Sequence, residues 1–257
     1  MKRIISVLAL VAFVCCGTVL ADTPAPSTFA PAKELTDQVS DYIKKLETST
    51  ATEADYNDLK ANVARDADTL AVIALTLGLH DTDNKYKKAA PALIKACQLT
   101  SKTKDYAAAK AGIEAIKKAA KDQTGNPANL KWEKVASLKE LMEAVPLVHT
   151  KLKKYVTPKR LKTKPDVAPG CLSVIAAIAQ GAIHNAKDTE KPKEVEEWEK
   201  FCFQMRDAAT KTHQSITGIK DKKKMTADEK KAVKDAMVDL QQSCDDCHGV
   251  FHKTEEK

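Results

Sequence analysis

Three observations predict an all-α fold. The 257-residue chain is rich in Ala, Lys, Leu and Glu, has only 8 Gly, and shows no convincing alternation of polar and apolar residues. Apolar residues instead recur three and four apart, the spacing of a helix with one buried face. Two stretches open on a Thr followed three residues later by an acid, Thr52-x-x-Asp55 and Thr226-x-x-Glu229, as capped helix starts do.

The chain begins Met1-Lys2-Arg3, runs apolar from Ile4 to Val14, and reaches Val19-Leu20-Ala21 before Asp22. A charged start, a short apolar run and a small residue at the cut predict a secretory signal peptide over 1–21. The run is too short to span a bilayer. Cys15 and Cys16 raise the question of a lipid anchor, but Val14 is not the small residue expected before a lipidated Cys15. Removal of the signal is expected rather than a membrane anchor, with export to the periplasm.

Residues 22–31 read as a flexible leader. The first helix is expected from Lys33 to Glu47, with Leu35, Val39, Ile43 and Leu46 on one face. Thr52 caps a long second helix ending near Leu79. Leu93, Ile94 and Cys97 belong to a third, and Ala109, Ile113, Ile116 and Ala120 to a fourth. Gly125 and Pro127 then stop the pattern.

The same order recurs. Lys139-Glu140-Leu141 matches Lys33-Glu34-Leu35, and Leu172-x-Val174-Ile175-Ala176 matches Leu70-x-Val72-Ile73-Ala74. Cys202 matches Cys97, and the helix opened by Thr226 matches the one opened by Asp105. This predicts a duplication: two tandem four-helix bundles, residues 32–125 and 132–257, joined by a linker at 126–131. Thr157–Pro169 reads as a Pro/Lys-rich loop in the second copy.

The second copy ends on Cys244-Asp245-Asp246-Cys247-His248. Cys-x-x-Cys-His is the attachment signature of c-type haem. On a helix, residues three and four apart share a face, so two thiols can meet the two vinyl groups while the histidine turns to the iron. The competing readings are a redox dithiol, which belongs at a helix start after a strand, and half a zinc site, which lacks its second pair. In the first copy, Ala120, Gln123 and Thr124 stand at the three positions, so one haem is expected and not two.

A four-helix unit with this motif near the end of its last helix resembles the cytochrome c′ family, including its low-spin methionine-ligated relatives. The resemblance covers about 132–257 and, in degenerate form, about 32–125. It implies covalent haem c on Cys244 and Cys247, with His248 as proximal iron ligand. It also implies a distal ligand from the helix Leu138 to Lys154, where Met142 stands in a Leu-Met stretch. Thr36 holds the matching place in the first copy. His149, seven residues on with Pro146 between, is the alternative ligand, and core packing is the bland reading of Met142.

Electron transfer is the implied activity, with a redox partner protein. A gas-binding role, with a diatomic gas at an open or displaceable sixth site, is the alternative, and a homodimer is left open. No nucleophile–base pair, carboxylate dyad or phosphate-cradling loop stands out, so an enzyme is not expected. Loss of Lys2 and Arg3 with the signal lowers 42 basic residues to 40 against 35 acids, a mature charge of +5. The lysines are spread over helix surfaces, which gives no nucleic-acid footprint. Cys97, Cys171 and Cys202 remain for buried thiols or one disulfide, Cys171–Cys202 or Cys97–Cys202. Trp198, Phe201 and Phe203 read as core, and His80, His184, His213 and His252 as surface residues.

Overall fold

The computed structural model describes residues 24–222 and 224–252, and its regular elements there are all helical, with no strand. The expected signal peptide over 1–21 lies outside the described residues. In chain order the helices are α1 (Ala32–Ser49), α2 (Glu53–Gly78), α3 (Ala90–Thr100), α4 (Tyr106–Ala119), α5 (Leu138–Tyr155), α6 (Pro158–Thr163), α7 (Val167–Ala182), α8 (Val195–Thr217) and α9 (Ala227–Phe251).

The starts follow local chemistry. Thr52 Oγ1 accepts from the Asp55 N–H at 3.1 Å, and Asp55 Oδ2 accepts from the Thr52 N–H at 3.1 Å. Thr226 and Glu229 make the same reciprocal pair at 3.1 and 2.8 Å. Asp105 opens α4 by accepting from the Ala108 N–H at 2.8 Å.

Gly125 serves differently from expectation. No described glycine has a positive φ, so Gly125 does not end α4 in the left-handed conformation. A Cβ there would lie 2.1 Å from the Lys88 carbonyl oxygen, so close backbone approach is what demands glycine.

Two expectations need correction. The leader over 22–31 is packed where it is described: Pro26–Thr28 forms a 3₁₀ turn, and Phe29 and Ala30 are buried. The turn is pinned by the Asp81 carboxylate, which accepts from the Ser27 N–H at 2.9 Å and from its hydroxyl at 2.5 Å. Nor is Thr157–Pro169 a loop. Pro158 opens α6, where its missing N–H costs nothing, and Pro169 sits in the first turn of α7.

Successive helices pack as neighbours, α1 to α4 in the first half and α5, α7, α8 and α9 in the second. The halves share one continuous core. At its centre α7 lies against α1 and α2, and α2 also touches α5. Small residues set that approach. A Cβ on Gly181 would stand 2.8 Å from Val72 Cγ1, and one on Gly170 would stand 2.6 Å from Gln38 Nε2. Leu130, within the expected linker, packs on this core, and Trp132 just beyond it meets Phe29 with ring centroids 6.4 Å apart.

Burial also explains the composition of α7. Val167–Asp188 is apolar and long enough to cross a membrane, yet 83% of its most apolar window is buried inside the fold. A helix apolar on all sides is what a core position requires.

The two halves differ in how their first and last helices meet. In the first, α1 packs directly on α4. In the second, α5 and α9 make at most marginal backbone contact, and a cavity lies between them.

Candidate functional site

The motif closes α9, where its spacing gathers Cys244, Cys247 and His248 on one side. The two thiols are half-buried and His248 is exposed, as are Asp245 and Asp246. All three motif side chains line a cavity of about 230 Å³ whose walls come from α5, α8 and α9. From α5 come Met142, Val145, Pro146 and His149, and from α8 come Trp198, Phe201, Cys202 and Met205. Met142, Trp198, Cys247 and His248 also line a cleft of about 1040 Å³, at the upper end of the usual size for ligand sites. Every residue expected to serve a haem therefore lines the same cavity, although 95 residues or more separate Met142 and His149 from the motif.

An aromatic wall supports that cavity. Trp198 Nε1 donates to the Ala182 carbonyl at 2.8 Å, which satisfies its polar atom and orients the ring. Phe251 meets Trp198 edge-on with centroids 5.4 Å apart, and Phe201 likewise at 6.0 Å. Trp198 and Phe201 are buried as expected. Phe203 is half-buried instead, with the Arg206 guanidinium 5.0 Å from its ring centre.

The thiols do not have the character of a redox dithiol. Burial raises the Cys244 thiol above its ordinary value and pushes Cys247 up to about 11, with Cys244 beside it adding to the shift. A catalytic dithiol needs a depressed pKa, so these groups stay protonated. Among the described residues no three His, Cys, Asp or Glu side chains are arranged to hold a bare metal ion. A porphyrin brings its own four nitrogens, so it requires no such set. Cys97, Cys171, Cys202, Cys244 and Cys247 are all free, so neither Cys171–Cys202 nor Cys97–Cys202 is bonded.

Met142 and His149 behave differently on the opposite wall. Met142 is half-buried and packs against the core. His149 is buried, and its Nε2 has no hydrogen-bond partner. Burial lowers its pKa, Lys153 adds to that, and the Asp245 carboxylate opposes it. A buried polar atom without a partner costs about 1–3 kcal/mol. Between these two residues Pro146 has no N–H to give the Met142 carbonyl.

Two of the other histidines depart from expectation. His80 is buried, with its Nε2 3.0 Å from the Ala30 carbonyl oxygen and its Nδ1 accepting from the Thr82 N–H at 3.0 Å. His213 is half-buried and lies 2.8 Å from Glu34 Oε1, so it ties α8 to α1. His184 and His252 are exposed. Cys202 and Met205, which line the cavity, and Phe251, which lines the larger cleft, had no haem role among the sequence expectations. Phe251 follows His248 by three residues and so shares its side of α9.

Comparison with family models, curated proteins and solved structures finds no match to this chain.

Proposed function

We propose that this chain is an exported mono-haem c-type cytochrome that transfers electrons, built as two tandem four-helix bundles of the cytochrome c′ type with haem in the second only. One observation carries the reading. Cys244, Cys247 and His248 line a single cavity together with both candidate distal residues, Met142 and His149.

Residue types and setting fit the group. Each thiol can add across a vinyl group, forming a carbon–sulfur bond while its proton passes to the neighbouring carbon, with no net oxidation. The adjoining His248 offers an imidazole nitrogen, and α5 offers a thioether or a second imidazole. Bound haem would supply an iron that cycles by one electron between ferric and ferrous. Trp198, Phe201 and Phe251 would exclude water from one side and so hold the local polarity low, one of the ways a protein sets a haem potential.

The test is expression with a cytochrome c maturation system. A covalently haem-stained band is expected that vanishes in Cys244→Ala/Cys247→Ala. An unstained wild-type chain would overturn the proposal.

A second reading is a gas-binding haem protein. It is favoured by the large cleft that opens onto His248 and Met142. It requires that carbon monoxide or nitric oxide bind the reduced protein readily, and failure to bind either would count heavily against it.

A further inference from the structure

Buried polar atoms in folded proteins nearly always have a partner, so one without calls for a reason, a bound group among them. Three such side-chain atoms occur among the described residues: Glu140 Oε2, Asn185 Oδ1 and His149 Nε2. For the first two, another atom of the same side chain is held. Glu140 Oε1 accepts from Lys139 Nζ at 3.2 Å, and Asn185 Nδ2 donates to the Ala136 carbonyl and to Asp188, both at 3.0 Å. His149 differs in its surroundings. It is 8% exposed and lines the cavity that Cys244, Cys247 and His248 also line.

Met142 has no such deficit. A thioether needs no hydrogen bond, and packing against the core accounts for its position. Met142 also lines the larger cleft, whereas His149 lines only the smaller cavity. We propose that His149, and not Met142, is the residue of α5 that ligates the iron of the covalently bound porphyrin. The inference rests on the haem reading above and narrows it. An imidazole nitrogen is among the commonest protein ligands for iron. Iron held by His149 and His248 has no open position, which favours electron transfer over gas binding.

The test uses the haem-loaded full-length protein, read by electron paramagnetic resonance and by visible and near-infrared absorption. The expected ferric form is low-spin and lacks the near-infrared charge-transfer band of a thioether on iron. Met142→Leu should leave it unchanged. His149→Ala should convert it to high-spin, and added imidazole should restore the low-spin form by filling the space vacated. A thioether band that disappears in Met142→Leu would overturn the inference, and so would a high-spin wild-type form. Should His149→Ala fail to fold, the wild-type and Met142→Leu spectra alone still decide. Haem attached with methionine ligation would leave the proposed function standing, whereas a chain that never attaches haem would remove both.

Discussion

Asp68, on α2, accepts a hydrogen bond at 2.7 Å from the backbone N–H of Ser137, 69 residues further along. Ser137 is the N-cap of α5 and makes no cap with its own side chain. A carboxylate from the first half thus marks where α5, the helix that carries Met142 and His149, begins. It also places negative charge at the positive end of that helix. The first half is therefore part of what positions Met142 and His149, whatever else it does.

Asp68→Ala should destabilise the protein by about 1–3 kcal/mol, because the Ser137 N–H loses its acceptor. Asp68→Asn keeps an oxygen there and should recover most of the loss. Burial raises the Asp68 pKa above 3.8, so the folded state holds this proton more tightly than the unfolded state. Its contribution is then most favourable at low pH and declines as pH rises from 3.8 through the raised value. Denaturant melts of wild type and Asp68→Asn across that window should differ by this slope. Parallel curves would show that Asp68 does not titrate with folding.

Gly181→Ala should destabilise by about 1–3 kcal/mol, since the new methyl would meet Val72 Cγ1 at 2.8 Å, inside contact distance. Val72→Ala in the same chain should relieve part of that cost. Thermal melts of the two single variants and the double variant measure the coupling, and purely additive effects would show that the helices already give way.

Glu34 joins three helices: its carboxylate accepts from Ser173 Oγ of α7 at 2.5 Å and meets His213 of α8 at 2.8 Å. Glu34→Ala should therefore cost more than loss of an exposed ion pair, on the order of 2 kcal/mol. Glu34→Gln should fall between, because it keeps hydrogen bonding without charge. Chemical denaturation with matched slopes checks the order.

One haem per chain is expected, because Ala120, Gln123 and Thr124 stand where the second half has its two thiols and imidazole. Intact-mass measurement of the purified holoprotein should show a single haem increment, absent from Cys244→Ala/Cys247→Ala. Two increments would mean that the first half attaches haem by residues outside this pattern.

Much of this was legible because it is local. Thr52 and Thr226 announce their helices through partners three residues away, and the spacing of Cys244, Cys247 and His248 on one turn announces that they share a side of α9. The exceptions have different causes. Pro158 and Pro169 looked like loop formers but occupy first turns, where proline is tolerated. Glu34 and Asp68 look like ordinary surface acids in sequence, although Asp68 stands just before the apolar run of α2 and Glu34 directly before buried Leu35. His80 looked exposed because it follows a helix end, yet the packed N-terminal segment covers it.

By itself, then, the sequence determined an all-helical chain and the capped starts of α2, α4 and α9, and it carries the Cys244-x-x-Cys247-His248 spacing on which the haem proposal rests. Only the tertiary structure decided that the halves share a core, that Asp68 meets Ser137, and that His149 Nε2 is buried without a partner. Periodicity and capping depend on neighbours within one turn, whereas burial and hydrogen-bond satisfaction depend on which distant helices pack together.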